Sequence, residues 1–197
     1  MKHLRSFFIV AALSVVLLIA GCGKKEFESN MDVKMQNFEH TNQNNKKVGL
    51  NDLKGKVWLA DLIFTSCTTV CQPMTKNMAD LQKMLEKEGV EDYHIVSFSV
   101  DPEVDTPEKL KDYISHFEVD EKKWDLLTGY DPEYIREFAE KNLQTLAVPD
   151  PNSNQVMHGT SFYLVNKEGT VVKNYSGAEE VPFEEIVQDV KTLVEQD

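Results

Sequence analysis

Apolar positions along this chain follow two different periods, and their order predicts strands and helices in alternation. Residues 57–64 form a nearly continuous apolar run, which is typical of a buried strand, and residues 93–100 form a second one. Between them, apolar side chains recur every three or four residues from Val70 to Leu85. This spacing predicts an amphipathic helix that ends near Gly89.

The remaining segments complete an α/β pattern. They predict a third strand at 124–127, helices that begin at Pro107 (after a Thr106 or Asp105 cap), at Pro132 and near Pro182, and hairpins over 38–50 and 161–175. A loop rich in turn formers, residues 148–154, leads to His158. We therefore expect one α/β domain with a central mixed β-sheet, flanking helices and an N-terminal β-hairpin.

The N-terminus has the features of an export signal. Lys2 and Arg5 precede an apolar stretch over 7–20, and the small residues before Cys22 resemble a lipobox, in which the cysteine is lipidated. A short uncleaved membrane anchor is the alternative, although the stretch is shorter than the roughly 20 residues that a spanning helix needs. The predicted organisation is a lipoprotein signal peptide at 1–21, a lipidated Cys22 with a tether to residue 32, and a folded domain at 33–197, held on the extracytoplasmic face of the cell membrane.

The charge of the chain excludes some classes of partner. Thirty-three acidic residues against 21 basic ones give a formal net charge of −12. Such acidity argues against nucleic-acid binding and against electrostatic attachment to anionic lipid headgroups.

Cys67 and Cys71 remain as a pair when Cys22 is assigned to the lipid. They follow the first buried strand, at a turn into a helix whose N-terminus would lower a thiol pKa. If both lay in the first turns of that helix, their Cβ atoms would be ~5–6 Å apart on one face. Such a pair can close a disulfide, bind one soft metal ion, or do each in turn. A purely structural disulfide is disfavoured because so short a loop constrains the unfolded chain little.

A third metal ligand would have to come from a histidine. His94 lies inside a predicted strand, which favours a hydrogen-bonded structural role, and His116 is expected at the surface of an amphipathic helix. His158 ends the turn-rich loop just before a strand. A single loop histidine is commonly just solvated, so its position alone does not assign it a role.

Several motifs occur together in an order that resembles the Sco/SenC family. They are Gly55-Lys56-Val57, Cys67-x-x-x-Cys71-x-Pro73-Met74, Asp101-Pro102-x-x-Asp105-Thr106-Pro107, Trp124-x-x-Leu127-Thr128-Gly129, and His158 ahead of Phe162-Tyr163-Leu164-Val165. The resemblance runs from about Phe38 to the C-terminus, and the lipobox matches the membrane-tethered Gram-positive form.

The resemblance implies a thioredoxin-like fold and a role in assembling the Cu-A centre of cytochrome c oxidase subunit II. It implies copper, as Cu(I) or Cu(II), bound by Cys67, Cys71 and His158, with a redox-active cysteine pair that a thiol reductant and a copper donor would serve. Gln72 stands where the family often has proline. Residues 159–161 contain no proline, whereas thioredoxins place a cis-proline opposite their cysteines, and the resemblance puts His158 in that space.

The chemistry of the residues agrees with copper but leaves other functions open. Two thiolates and an imidazole suit Cu(I) and a tetragonal Cu(II), whereas a structural zinc site usually takes four protein ligands. A thiol–disulfide oxidoreductase that reduces the cysteines of the Cu-A apo-site is the main alternative. A peroxidase would need an arginine beside its cysteine, and Arg136, the one arginine outside the signal peptide, is predicted on a distant helix.

Overall fold

The computed structural model describes residues 27–196, so the predicted signal peptide and Cys22 lie outside the described part. The strands are β1 (Val33–Lys34), β2 (Glu39–Asn42), β3 (Lys47–Gly49), β4 (Val57–Ile63), β5 (Tyr93–Ser99), β6 (Trp124–Thr128), β7 (Ala147–Pro149), β8 (Val156–His158), β9 (Ser161–Val165) and β10 (Thr170–Ser176). The α-helices are α1 (Cys71–Lys87), α2 (Pro107–Ser115), α3 (Pro132–Leu143) and α4 (Phe183–Glu195). Within residues 27–196, no helix is both long and apolar enough to cross a membrane.

Eight strands form one mixed sheet in the order β1-β10-β9-β4-β5-β6-β2-β3. Its centre is parallel, because β4 pairs with β5 and β5 with β6, while the flanking pairs are antiparallel. The hairpins β2–β3 and β9–β10 and the central strands fall where the sequence predicts them. The expected mixed sheet with an N-terminal hairpin is therefore confirmed.

Helices cover both faces of the sheet. Met74 and Met78 of α1 pack with side chains of α2 and α4 against one face, which includes Leu59 and Ile63 of β4. The opposite face, which includes Trp58 of β4, packs against α3. Because β4 is buried on both faces, its apolar run is continuous rather than alternating.

Two local features differ in detail from the expectations. The loop expected at 148–154 is present as a turn over 150–155, but the short strands on either side of it, β7 and β8, pair in a separate two-stranded sheet with Ala147 opposite His158. Strands of three residues that flank a turn-rich segment leave too short a pattern to recognise. Helix α1 begins at Cys71, so Cys67 lies in the preceding turn and not in the helix.

Candidate metal centre

The turn that carries Cys67 begins at the carboxyl end of β4, where loops of an open α/β sheet converge. The backbone N–H of Cys67 donates to the carbonyl of Phe64 at 3.3 Å, and Val100, which follows β5, donates to the carbonyl of Ile63. Cys67 is 7% exposed and Cys71 is fully buried. Both are free thiols in this structure.

The sulfur of Cys67 lies at the N-terminus of α1. The N–H of Cys71 donates to Cys67 Sγ at 3.3 Å, and Thr69 Oγ1 is 3.8 Å from the same sulfur. Burial acts to raise the pKa of the Cys67 thiol, but hydrogen bonds from the Cys71 side chain, from Thr69 and from the Cys71 backbone together outweigh it. The pKa of Cys67 therefore lies below its ordinary value, and Cys67 is the first of the two to become a thiolate.

The pKa of Cys71 is shifted in the opposite direction. Burial, and then its interaction with the Cys67 side chain, raise the pKa of the Cys71 thiol far above its ordinary range. In the metal-free state Cys71 therefore stays a thiol, and it loses its proton when a metal replaces that proton. The pair therefore combines one thiol of lowered pKa with one thiol of strongly raised pKa.

His158 is oriented by its own backbone neighbour. Its Nδ1 donates to the carbonyl of Gly159 at 2.9 Å, which leaves the lone pair on Nε2, and Nε2 is 3.2 Å from Cys71 Sγ. The ring meets Phe64 edge to face at a centroid distance of 5.7 Å. Burial lowers the pKa of His158, against a smaller opposing effect of the Gly159 carbonyl, so the ring is neutral at pH 7.

The two sulfurs and the imidazole nitrogen lie within 4.8 Å of one another. A neutral imidazole fixed in one tautomer, next to two sulfurs, is a soft donor set that fits a thiophilic ion such as copper. The ligand set is thus brought together from the strand-to-helix turn and from the β7–β8 ribbon.

The other histidines lie elsewhere. His94 Nε2 is 2.7 Å from Asp125 Oδ2, which confirms its structural role, and His116 is at the surface as expected. His40 packs among the rings of Phe38, Tyr130 and Tyr134. Burial, followed by the charge of Lys47, lowers its pKa to about 4.

Asp105 has a larger role than the helix cap that its sequence position suggests. Thr106 caps α2 by accepting from the N–H of Lys109, while the fully buried Asp105 carboxylate lies beneath the cysteine turn. It accepts from the N–H of Thr65 at 3.2 Å, from Thr65 Oγ1 at 2.5 Å and from Ser99 Oγ at 2.6 Å. Asp105 therefore fixes the first residue of that turn to the end of β5.

Asp101 does not orient His158, whose Nδ1 is bonded to Gly159 instead. Its carboxylate is 3.5 Å from Ser66 Oγ, and its N–H donates to Ser99 Oγ. Asp101 thus belongs to the border of the cysteine turn.

Gln72 lies on the surface of α1, next to the buried Cys71. It lines an open cleft of about 430 Å³ together with Tyr113 and His116. The helix starts at Cys71 despite the glutamine, so the turn is preserved, as expected.

Arg136 contacts acidic residues of its own helix, α3. It donates to Glu133 and lies 4.0 Å from Glu140, which makes it part of an exposed helix-surface network. Nothing in these contacts links it to the cysteine pair.

Asp61 is a buried acid that the sequence analysis does not single out. It is fully buried in the middle of β4, opposite Ser97 of β5, and among the described residues neither carboxylate oxygen has a hydrogen-bonding partner. Burial raises its pKa from 3.8 to about 7, against a smaller opposing effect of the Ser97 hydroxyl. The sequence feature that could have identified it is a single carboxylate in the middle of an otherwise apolar strand.

Asp61 is expected to make stability depend on pH. Between pH 4 and pH 7 the folded protein keeps a proton that the unfolded chain releases, so the free energy of unfolding falls as the pH rises through this window. The full effect is at most about 4 kcal/mol. Asp61→Asn removes it, so the stability of the variant relative to wild type should increase between pH 4 and pH 8, as measured by urea unfolding of the reduced protein.

The exposed Asp92→Asn is the matched control, and its stability relative to wild type should stay constant over the same range. A difference in stability between Asp61→Asn and wild type that is equal at pH 4 and pH 8 would show that folding does not raise the pKa of Asp61.

Comparison with known proteins identifies the same family as the sequence motifs. A family model described as SCO1/SenC matches residues 27–195. A SCO1/SenC family lipoprotein from Bacillus anthracis str. Ames is 50% identical, with a TM-score of 0.80, and the match covers 83% of this chain and 96% of that one.

Two further solved structures are similar. BsSco, described as a member of the Sco family of cytochrome c oxidase assembly proteins with a disulfide switch, is 43% identical, with a TM-score of 0.80, over 88% of this chain and all of that one. Bradyrhizobium japonicum ScoI with copper bound is 27% identical, with a TM-score of 0.67, over 82% and 99% of the two chains.

The likeness to these structures also confirms the thioredoxin-like fold that the resemblance implied. The family model covers nearly all of the described residues, and the cysteine pair and the histidine meet within it. The chain belongs to the SCO1/SenC family.

Proposed function

We propose that this protein binds copper through Cys67, Cys71 and His158 and delivers it to the Cu-A site of cytochrome c oxidase subunit II. The observation that carries the proposal is that two sulfurs and an imidazole nitrogen lie within 4.8 Å of one another. The hydrogen bond from Nδ1 to Gly159 leaves the lone pair of His158 on Nε2, where it can bind a metal. Copper in the ScoI structure and the oxidase-assembly role of the BsSco family support it.

Copper is the cargo in this proposal. Cys67, the thiol of lower pKa, and Cys71 each give up a proton to bind it, and the neutral His158 offers Nε2. A Cys67–Cys71 disulfide has no free thiolate. Loading therefore requires a reductant that supplies two electrons, breaks the S–S bond and leaves both thiols.

The N-terminal sequence supports an anchored location. In the proposed organisation, residues 1–21 are removed, Cys22 carries the lipid, residues 22–32 form the tether, and the domain at 33–197 faces the extracytoplasmic side. The lipoprotein from Bacillus anthracis supports this assignment. The proposed partners are the Cu-A domain of subunit II, a copper donor and a thiol reductant.

His158→Ala tests the ligand set. The reduced full chain should bind one copper and show thiolate-to-copper charge-transfer absorption. The variant should lose at least about tenfold in Cu(II) affinity and change this absorption, because one of three ligands is gone. Its two cysteines should still form the disulfide.

The surface histidine provides the matched control, since His116→Ala should leave affinity and spectrum unchanged. Copper binding by His158→Ala that equals wild type in affinity and absorption would remove His158 from the site.

Thiol–disulfide exchange is the second candidate function. It is favoured by the pairing of an acidified, slightly exposed Cys67 with a buried Cys71, the arrangement of an attacking and a resolving thiol. The two functions separate in cells that depend on this protein for oxidase maturation. An oxidoreductase would tolerate His158→Ala and fail with Cys67→Ser, whereas a copper carrier should fail with both.

A further inference from the structure

The ribbon that carries His158 is joined to the body of the protein in an unusual way. Within residues 27–196, β7 and β8 form a sheet of their own, with no strand pairing to the eight-stranded sheet. At its base, Gly159 N donates to the carbonyl of Leu146, and Thr145 N donates to the carbonyl of Ala139 in α3. The position of the far end of the ribbon, the turn at 150–155, must be set by other contacts.

One side chain makes the hydrogen bonds at that end, in addition to the apolar packing of Ala147 and Val156 against the core. In the described part of the chain, every hydrogen bond that joins the turn at 150–155 to the rest of the protein comes from Gln155. Its Oε1 accepts from the N–H of Thr68 at 3.2 Å and from Thr68 Oγ1 at 3.3 Å. Its Nε2 donates to the carbonyl of Ser66 at 3.2 Å.

Ser66 and Thr68 are the two residues on either side of Cys67. A single amide therefore satisfies two donors and one acceptor that flank Cys67, and it does so from a residue 87 positions away from Thr68. An amide is suited to this because it presents an acceptor and a donor at the same time.

We propose that Gln155 is a positioning residue, a clip that ties the β7–β8 ribbon to the cysteine turn and thereby sets the place of His158 relative to the two sulfurs. This proposal deepens the proposed copper-binding function and rests on it for its metal arm. Gln155 precedes His158 by three residues, about 10 Å along an extended strand. The base of the ribbon and the clip thus fix its orientation at two points.

The first arm of the test needs no metal. In the reduced, metal-free full chain, Gln155→Ala should speed amide hydrogen exchange in β7 and β8 by about tenfold, as the loss of a few hydrogen bonds predicts. The exposed Asn152→Ala, whose hydrogen bonds are to Asp150 within the same turn, should leave this exchange unchanged. Equal protection of the ribbon in wild type and Gln155→Ala would overturn the proposal.

The second arm asks whether Gln155 acts through His158. Gln155→Ala should move the Cu(II) charge-transfer spectrum toward that of His158→Ala and speed the loss of copper to a chelator. In the His158→Ala background, the same substitution should have no further effect on that rate. An equal acceleration in both backgrounds would overturn a role that acts through the histidine.

Gln155→Glu separates the two halves of the clip. The carboxylate keeps the acceptor for Thr68 but faces the Ser66 carbonyl without a donor, so its spectrum and copper-loss rate should fall between those of wild type and Gln155→Ala. Values for the glutamate variant that equal those of wild type would overturn the two-sided clip. If the wild-type protein binds no copper, the proposed function fails, and the exchange arm still decides the role of Gln155.

Discussion

Cys71→Ser is expected to abolish stable copper binding, with an affinity loss of at least about a hundredfold. Removal of a residue that merely supports a ligand already costs 10–100-fold, and Cys71 lies between the other two proposed ligands. Its N–H contacts Cys67 Sγ at 3.3 Å and its own sulfur is 3.2 Å from His158 Nε2. Copper titration of the reduced full chain, followed by charge-transfer absorption, measures the loss.

The matched variant is Cys67→Ser, which should lose copper to a similar extent although Cys67 is the more exposed of the pair. Circular dichroism should show that both variants keep the fold, since serine is nearly isosteric with cysteine. A Cys71→Ser protein that retains wild-type copper affinity would contradict the three-ligand site, and the search for ligands would have to move away from α1.

Asp105→Ala is expected to lower the free energy of unfolding by about 3 kcal/mol, because it leaves buried donors without an acceptor. The N–H and hydroxyl of Thr65 and the hydroxyl of Ser99 all donate to this carboxylate. Burial raises the pKa of Asp105, so its charged form is itself costly, and this cost limits the net loss. Urea unfolding of the reduced protein at pH 7 measures the change.

Two comparisons make the Asp105 experiment specific. Asp112→Ala, at an exposed position of α2, should change stability by less than about 0.5 kcal/mol. Asp105→Asn retains one acceptor oxygen and should be intermediate. A loss below about 1 kcal/mol for Asp105→Ala would mean that the cysteine turn finds other acceptors or water when the carboxylate is absent.

The main elements were predictable because each carries a long enough pattern. The apolar run of β4 and the three-to-four-residue spacing of α1 identify a central strand and its following helix. The ribbon was not predictable, since three-residue strands separated by a turn show no period. The resemblance, and not the spacing of residues, identified His158 as the partner of the cysteines.

The roles of residues that act through burial or through long-range contacts could not be predicted from the sequence, for a different reason. Asp105 looks like a helix cap because its neighbours Thr106 and Pro107 begin a helix, and its contact with Thr65 depends on how β4 and β5 pair. Gln155 lies in a polar turn where many residues would serve equally well by composition. Its contacts with Ser66 and Thr68 exist only in three dimensions.

The three proposed ligands are unevenly spaced along the chain, and this spacing affects how a bound metal would stabilise the fold. Cys67 and Cys71 are four residues apart, so an unfolded chain keeps them as a local chelate, whereas His158 joins them only after β4, α1 and the ribbon are in place. Binding stabilises a protein only by the difference in affinity between its folded and unfolded states. For any ion held by these three side chains, the imidazole therefore contributes to that difference, whereas part of the affinity of the cysteine pair persists in the unfolded chain.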